Sequence, residues 1–312
     1  MSISSIARYA GFLTLMLLRR FTFLNSLPIG VIQGQALAKE TIQSGVARQL
    51  VSRSADSLNE SQTNGAKDLL TLLLNAAAEE RISIEEVYEQ ISTFMIAGFE
   101  TTTTTAAFAV WELARHPDKQ DRLREELATI SGEPTAKDMQ DRLPYLNAIM
   151  KETLRLYPAL PYMERTATKF DIIPLRDPVR MSNGTIVSEI SVQPGQTVVI
   201  PIIAIQCQDD VWKDADEFRP ERWLEELPPA DRLPSGWGNM LAFSDGPRNC
   251  IGTRLAIFNF KIILAAMTTR FHFESGNGDM SLKISSSLQP WIYHGKDDPG
   301  SNELPVFLHV VS

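Results

Sequence analysis

Apolar residues recur at helical spacing along most of the first half of the chain. A polar, Ser/Asn-rich stretch interrupts the pattern over Ser52–Lys67, which we interpret as a loop. Ser83 and Glu86 form the S-x-x-E pattern of a capping box directly before a long periodic segment, which Pro117 ends. The predicted helices cover Leu37–Leu50, Asp68–Glu80, Ser83–His116, a segment that starts near Pro117, and Tyr145–Leu156.

The segment from Ser83 to His116 is the longest of these predicted helices. At about 1.5 Å per residue it would extend for roughly 50 Å, so we expect it to be central and buried. Ala10–Leu18 is a shorter apolar run that follows Arg8. It is too short for a membrane span, which needs about 20 residues, and we interpret it as a buried helix.

The pattern changes to β-branched runs between Met163 and Gln206. Ile186–Val192 and Thr197–Ile203 are predicted strands, and the pairs Asn183–Gly184 and Pro194–Gly195 are predicted turns. Strands joined by short turns pair in antiparallel fashion. The sequence therefore predicts a mainly α protein with a small antiparallel β region.

The last third of the chain begins with a long loop rich in Pro, Gly and Trp, which covers Phe218–Pro247. A loop of this length is usually functional. An apolar helix is predicted from about Thr253 to Phe271, and the remaining tail is predicted to form a loop and a final hairpin.

Composition excludes several classes of protein. The 312 residues are 44% hydrophobic and 22% charged, which excludes a disordered or fibrous chain. The length suits one large domain or two modest domains. The formal net charge of −8 argues against general nucleic-acid binding, which requires a basic surface. Two cysteines cannot form a disulfide framework, and their scarcity is typical of a reducing compartment.

Cys250 lies in the sequence Phe-Ser-Asp-Gly-Pro-Arg-Asn-Cys-Ile-Gly, just before the predicted apolar helix. The helix N-terminus and Arg248 both favour a thiolate, and Gly246 and Gly252 allow the backbone to approach a flat group. The pattern favours a metal ligand; a nucleophilic cysteine and a buried free cysteine are the alternatives. Cys207, at the end of a predicted strand, is interpreted as a buried free thiol.

Two further patterns place polar groups on predicted helices. Glu152 and Arg155 are three residues apart, hence on one helix face, and alone they indicate an exposed ion pair. Five consecutive threonines begin at Thr101, beside Gly98 and Glu100, in the middle of the long helix. Because threonine hydroxyls compete for backbone carbonyls, we expect a local distortion there; an ordinary small-residue helix crossing is the alternative.

The pattern Phe243-x-x-Gly246-x-Arg248-x-Cys250-x-Gly252 resembles the haem-binding signature of the cytochrome P450 family at every defining position. The resemblance implies haem b as the cofactor, with Cys250 as the axial ligand of the iron, whose thiolate favours cleavage of the O–O bond. It also implies that Arg248 pairs with a haem propionate and that Phe243 packs near the sulfur.

A second motif, Ala97-Gly98-x-Glu100-Thr101, resembles the oxygen-activating A-G-x-[DE]-T motif of the same family. The resemblance implies that Glu100 and Thr101 relay protons to dioxygen, while Ala97 and Gly98 let the ligand approach the haem. It further implies Arg165, in the early β region, as another partner of a propionate.

Two more elements resemble family motifs: Glu-x-x-Arg at Glu152 and Arg155, and Phe-Arg-Pro-Glu-Arg-Trp, which contains Arg222. The resemblance implies that these three residues form a buried network behind the haem, which holds the loop with Cys250.

The resemblance also implies one P450 domain over residues 1–312. Its implied segments are roof helices and a loop (1–82), the oxygen-activating helix (83–116), helices including Glu-x-x-Arg (117–158), the β region (159–206), and the meander, cysteine loop, cysteine helix and hairpin (207–312).

One element of the family pattern is absent. Members carry a Trp-x-x-x-Arg haem contact early in the chain, whereas the first tryptophan here is Trp111. We therefore expect the chain to lack the N-terminal portion of the family fold, including its membrane anchor. The expected localisation, by family resemblance, is the cytosolic face of the endoplasmic reticulum membrane.

The resemblance implies a fungal-like haem-thiolate monooxygenase that inserts one atom of O2 into an apolar small molecule, in secondary metabolism or xenobiotic oxidation. The implied electron donor is NADPH–cytochrome P450 reductase, with cytochrome b5 as a second candidate. The first alternative is a truncated, non-catalytic relative that binds haem weakly or serves as an interaction partner. A haem-thiolate isomerase or peroxygenase is the other alternative, and the Glu100–Thr101 pair argues against it.

Overall fold

A computed structural model describes residues 41, 45, 47–52, 68–132, 134–276, 280–285, 287–293 and 300–311. The predicted helix Ala10–Leu18, most of the predicted helix Leu37–Leu50 and nearly all of the predicted loop Ser52–Lys67 lie outside these residues. The chain divides into two compact units, Met1–Thr102 and Thr103–Ser312. The interpretation of the whole chain as one domain stays a prediction.

Helix α1 (Leu69–Ala78) of the first unit begins where the sequence predicts, because Asp68 caps it. Asp68 Oδ1 accepts a hydrogen bond from the Thr71 backbone N–H at 3.0 Å, which satisfies one of the free donors in the first turn. A small apolar core lies between this helix, the helical residues 47–52 and the beginning of the next helix. Its buried members are Ala47, Val51, Val87 and Ile91.

Helix α2 (Ile84–Arg115) begins with the predicted capping box. The Ser83 backbone N–H donates to Glu86 Oε2 at 2.7 Å, and the Glu86 N–H donates to Ser83 Oγ at 3.2 Å. The helix ends before His116, whose φ of −127° and ψ of 76° are not helical, and Pro117 starts helix α3 (Pro117–Ala128). Both boundaries are confirmed, since a proline disfavours helical geometry in the residue before it.

Helices α4 (Ala136–Asp141) and α5 (Pro144–Leu156) follow, and α5 is capped by a distant carboxylate. Glu126 of α3 accepts hydrogen bonds from the backbone N–H groups of Tyr145 and Leu146 at 2.7 and 2.8 Å. Burial raises the pKa of the Glu126 carboxyl, although the two N–H bonds oppose this shift. Glu126 thus fixes the beginning of α5, the helix that carries the Glu-x-x-Arg motif.

The predicted β region consists of two antiparallel pairs of strands. β1 (Met163–Thr166) pairs with β4 (Thr197–Ile200), and β2 (Asp171–Arg180) pairs with β3 (Ile186–Val192). A register shift after Pro174 interrupts the second pair. Proline has no N–H for the ladder, so it occurs at such irregularities.

The predicted strand Thr197–Ile203 is wrong in its second half. The strand ends at Ile200 because Pro201 cannot donate a hydrogen bond to a neighbouring strand. A short helix, α6 (Ile202–Gln206), takes its place. Cys207 therefore ends a helix, whereas the sequence pattern placed it at the end of a strand.

The predicted apolar helix is confirmed as α7 (Thr253–Arg270). It leads directly into β5 (Phe271–Ser275), which pairs with the last strand, β8 (Val306–Val310). The predicted hairpin lies between them as β6 (Met280–Ile284) and β7 (Leu288–Ile292). The pairing of β5 with β8 was not predicted, because it joins segments that are far apart in sequence.

The core of the second unit holds the buried amide of Gln120 among apolar side chains. Its Nε2 donates to the carbonyls of Leu113 and Phe273 at 3.2 and 2.9 Å, and its Oε1 accepts from the Phe273 N–H at 2.8 Å. Gln120 thereby fixes β5 against the helices. The fully buried large apolar side chains of this core include Leu113, Leu123, Leu146, Ile149, Met150, Met240, Leu264 and Phe273. A mainly α fold with small antiparallel sheets is therefore confirmed.

Candidate functional site

Cys250 lies at the end of a tight loop that precedes α7. Its backbone N–H donates to the Phe243 carbonyl at 2.8 Å, which closes the loop. Inside the loop is a 3₁₀ turn, Gly246–Arg248, capped by Asp245. The Thr253 hydroxyl, in the first turn of α7, donates to the Cys250 carbonyl at 2.7 Å. The backbone of Cys250 is thus held from both sides, while the residue is exposed.

Asp245 fixes the shape of this loop. Its carboxylate accepts hydrogen bonds from the Ser235 hydroxyl and from the Gly246 N–H. Both bonds favour the charged form and hold the pKa of the Asp245 carboxyl below its usual value. The φ of Gly246 is 71°, in the left-handed region that glycine adopts without strain.

The space in front of the loop is open at its two glycines. A Cβ built on Gly246 would meet no atom within 4 Å. A Cβ built on Gly252 would meet Cys250 Sγ at 3.8 Å. Neither glycine therefore carries a side chain that would hinder a flat group beside the loop.

The rear of the loop is anchored in the core. The rings of Trp237 and Phe243 pack edge to face, with centroids 5.5 Å apart and planes at 82°. Met240 is only 1% exposed. Gly236 lies against this segment so closely that a Cβ there would be 2.2 Å from the Met240 carbonyl oxygen. The chain can pass at this point only with a glycine.

We expect Gly236→Ala to lower the free energy of unfolding by about 1–3 kcal/mol, because the backbone must shift to relieve the overlap. Urea unfolding of the full chain, followed by circular dichroism, measures the change. Gly45→Ala is the control, since a Cβ there meets no atom of the described residues within 4 Å. A loss for Gly236→Ala of under about 0.5 kcal/mol, the range of neutral surface changes, would contradict the expectation.

A buried ionic network lies at the end of α5. Glu152 and Arg155 are fully buried, and Arg222 is 4% exposed. Glu152 Oε2 accepts from Arg155 Nε, and Oε1 accepts from Arg155 Nη2 and from Arg222 Nε, each at 2.9 Å. The structure therefore brings these three residues together, and the interpretation of Glu152 and Arg155 as an exposed pair is wrong.

The two guanidinium groups of this network also hold the segment that precedes the cysteine loop. Arg155 donates to the Ala215 carbonyl at 2.7 Å and to the Glu217 carbonyl at 3.2 Å. Arg222 donates to the Lys213 carbonyl at 2.8 Å. Charged donors make strong hydrogen bonds to carbonyls in a buried place, so the segment around residues 213–217 is fixed to α5.

Sequence reasoning missed three further members of this region. Trp223 Nε1 donates to Glu152 Oε2 at 2.9 Å, and the Arg219 backbone N–H donates to Glu152 Oε1 at 2.9 Å. Gln206, at the end of α6, is 1% exposed and contacts both α5 and Leu241, two residues before Phe243 at the start of the cysteine loop. Trp223 follows Arg222 in the motif Phe-Arg-Pro-Glu-Arg-Trp, so the sequence contained a signal for its place in the network. Gln206 belongs to no motif.

The two predicted propionate partners are both exposed. Arg248 lies at the end of the 3₁₀ turn in the cysteine loop. Arg165 lies on β1, opposite Val198 of β4. The Arg165 guanidinium donates to the Glu164 carbonyl at 2.9 Å, which leaves other N–H groups of the fork to bind an anion.

Ala97, Gly98, Glu100 and Thr101 lie on α2 within the first unit. Thr101 Oγ1 donates to the Ala97 carbonyl at 2.7 Å, which is the competition for a backbone carbonyl that the threonine run predicts. The helix is nevertheless continuous from Ile84 to Arg115, so the expected distortion does not break it.

Cys207 differs from Cys250 in its surroundings. It is partly buried, and its Sγ lies 3.8 Å from the Arg155 carbonyl oxygen. Burial raises the pKa of the Cys207 thiol, although the Arg155 charge opposes this shift. Cys207 is therefore a neutral thiol near the rear network, and Cys250 is the exposed one.

A cavity of about 750 Å³ opens elsewhere on the second unit, beside the end of α2. Glu112 is its buried acid: Tyr157 donates its hydroxyl proton to this carboxylate, and His116 and Arg115 lie 3.4 and 3.5 Å away. Burial raises the pKa of the Glu112 carboxyl. None of the residues predicted for the functional site lines this cavity.

Comparison with known proteins finds one protein family in which these features occur together. A family model described as Cytochrome P450 matches residues 12–290. The chain is 33% identical over 297 residues to "Cytochrome P450 monooxygenase 128" of Postia placenta, covering 89% of this chain and 54% of the relative. It is 35% identical over 265 residues to "Cytochrome P450 monooxygenase 205" of the same organism, covering 82% and 48%.

A third relative comes from another organism. "Cytochrome P450 monooxygenase claW" of Ampulloclitocybe clavipes is 38% identical over 221 residues, which is 68% of this chain and 41% of the relative. The chain thus spans about half the length of the curated relatives that it matches.

Proposed function

Because the chain belongs to the cytochrome P450 family and resembles fungal members of it, we propose that it forms the haem-thiolate part of a monooxygenase. The reaction inserts one oxygen atom of O2 into an apolar organic substrate. The observation that carries the proposal is the setting of Cys250. The residue is exposed, while its backbone N–H and carbonyl are both held by hydrogen bonds. A cysteine that would ligate a haem iron needs this combination of an accessible residue and a rigidly held backbone.

The residues around Cys250 fit haem b. The open space at Gly246 and Gly252 suits a flat macrocycle close to the sulfur. Arg248 and Arg165 are exposed guanidinium groups, which bind carboxylates such as the haem propionates in a bidentate way. In this proposal Cys250 would ligate the iron, and Arg248 and Arg165 would hold the propionates.

When bound, a haem with a thiolate ligand supplies the electron density that favours cleavage of the O–O bond. The chain itself presents the ligand: Phe243 supports the cysteine loop from the rear through its carbonyl and its ring. The network of Glu152, Arg155 and Arg222 keeps the preceding segment on α5. Their proposed role is therefore structural.

The proton supply is assigned to α2 on the strength of its motif. Glu100 and Thr101 are an acid and an alcohol in adjacent positions, and such a pair can pass protons to a reacting oxygen. Ala97 and Gly98 have side chains small enough to leave room for the substrate and O2. Overall, one oxygen atom enters the substrate and the other leaves as water, and two electrons and two protons are consumed.

The electron donor, the location and the pathway are proposed from the family. The donor is NADPH–cytochrome P450 reductase, with cytochrome b5 as a second one, and the location is the endoplasmic reticulum membrane at its cytosolic face. The substrate belongs to secondary metabolism or to xenobiotics. Among the residues that the structure describes, no helix is both long and apolar enough to cross a membrane.

The test of the proposed function is the haem complex of the full chain. The protein is expressed with a haem precursor, reduced, and examined by carbon monoxide difference spectroscopy. The proposal expects the Soret band that is typical of a thiolate ligand. A chain without haem, or a carbon monoxide complex without this band, would contradict it and favour the non-catalytic alternative.

Thr101→Ala is expected to uncouple electron use from product formation. Loss of the hydroxyl removes the proposed proton donor, so product per NADPH should fall by a factor on the order of 10². The measurement compares NADPH oxidised, peroxide released and product formed with a reductase present. Thr101→Ser is the control, because it keeps a hydroxyl that can donate to the Ala97 carbonyl. Equal coupling in Thr101→Ala and wild type would contradict the relay.

A further inference from the structure

Gln206 connects the rear helix to the cysteine loop through a buried amide. Its Nε2 donates to the carbonyls of Leu154 and Arg155, each at 3.0 Å. Its Oε1 accepts from the Leu241 backbone N–H at 2.7 Å. With 1% of the residue exposed, water cannot replace these bonds at low cost.

The first two bonds satisfy the C-terminal end of α5. The last carbonyls of a helix have no partner inside the helix, and Leu154 and Arg155 belong to the last turn of α5. Gln206 therefore holds the end of the same helix that carries the buried network. Arg155 returns a contact, since its Nη1 donates to the Gln206 carbonyl at 3.3 Å.

The third bond continues toward Cys250. Leu241 is two residues before Phe243, and its carbonyl accepts from the Ser244 N–H at 2.8 Å. The Phe243 carbonyl in turn accepts from the Cys250 N–H at 2.8 Å. The position of Leu241 thus determines where the cysteine loop starts and where it closes.

We propose that Gln206 is a positioning residue for the thiolate ligand, because it fixes the start of the cysteine loop to the end of α5. The inference rests on the proposed function of Cys250 and adds a residue that no motif identifies. The side-chain hydrogen bonds of Gln206 go to Leu154, Arg155 and Leu241, and not to Cys250. Gln206 acts through Leu241, so its loss should loosen the loop locally.

Gln120 is a matched control for this proposal. It is also a buried glutamine, donates to two carbonyls and accepts from one backbone N–H. Its partners are Leu113, Phe273 and the Arg124 guanidinium, so its bonds lead to α2, α3 and β5 and not to the cysteine loop. Gln206→Met and Gln120→Met therefore remove the same kind of bonds from two different places.

The first measurement is hydrogen exchange of the unliganded full chain. We expect Gln206→Met to speed amide exchange in the segment from Leu241 to Cys250 by roughly tenfold, because its anchor is lost. Exchange in β5 should stay near the wild-type rate. Gln120→Met should show the reverse pattern. If Gln206→Met does not fold, Gln206→Asn is used: the amide is kept but is one methylene too short to join α5 to Leu241, so the loop should again exchange faster, and a loop as slow as in wild type would overturn the proposal.

The second measurement is the carbon monoxide difference spectrum of the haem-loaded variants. We expect Gln206→Met to lose a larger share of the thiolate band than Gln120→Met at equal haem content. Equal exchange in the loop for the two Met variants, or equal thiolate bands, would overturn the role of Gln206. A wild-type chain without the band would overturn the proposed function, whereas the exchange result would still decide whether Gln206 anchors the loop.

Discussion

Replacing Cys250 by serine is expected to abolish the thiolate Soret band of the reduced carbon monoxide complex. The serine hydroxyl is a far weaker acid than a thiol and cannot supply the same soft, charged ligand. The backbone bonds of Cys250 with Phe243 and Thr253 do not involve its side chain, so the loop itself should persist. Any haem that remains bound should therefore give a spectrum without the thiolate signature.

Cys207→Ser is the matched control for this experiment. It is the same substitution in the same unit, at a thiol that burial keeps neutral. Haem content and the carbon monoxide band are measured for both variants and for wild type. The assignment of Cys250 fails if the band survives in Cys250→Ser, or if only Cys207→Ser loses it.

Glu152→Gln is expected to lower the free energy of unfolding by about 3–5 kcal/mol. The carboxylate is fully buried and faces two guanidinium groups, so its neutral replacement leaves Arg155 and Arg222 buried without a counter-charge. The amide also introduces an N–H₂ group where every neighbour is a donor. Such a loss is a large part of the 5–15 kcal/mol that is typical of a domain.

Urea unfolding of the full chain measures this effect, with Glu226→Gln as the control at an exposed position. The control should stay within about 0.5 kcal/mol of wild type. Trp223→Phe removes one hydrogen bond to the same carboxylate and should cost about 1.5–3 kcal/mol. The network does not stabilise the fold as argued if Glu152→Gln unfolds at the urea concentration of Glu226→Gln.

Two helix boundaries were predictable because a short-range contact sets them, whereas α4, which also begins with a capping box, was not predicted. Ser83 and Glu86 bond to each other three residues apart, and Pro117 ends one helix and begins the next by its own geometry. The incorrect prediction of a strand over the whole of Thr197–Ile203 also has a local cause. The β-branched run favoured a strand throughout, but Pro201 removed the donor that its continuation needs.

The local sequence pattern predicted the buried ionic network only in part. Glu152 and Arg155 lie on one face of α5 whatever packs against that face. The buried network also needs Arg222, which is 70 residues from Glu152 in the sequence. A surface ion pair and a buried one have the same spacing. The resemblance to a family, not the spacing, indicated the buried arrangement.

The sequence by itself determined the family, the helices α1, α2, α3, α5 and α7, and the contiguous loop with Cys250. These features depend on contacts between close neighbours and on residues that stand together in one motif. Only the tertiary structure decided what supports that loop, because Trp223 reaches Glu152 across 71 residues and Gln206 reaches Leu241 across 35. Partners at such distances meet only after helices and loops have packed, and no local periodicity records which buried amide will meet which backbone N–H.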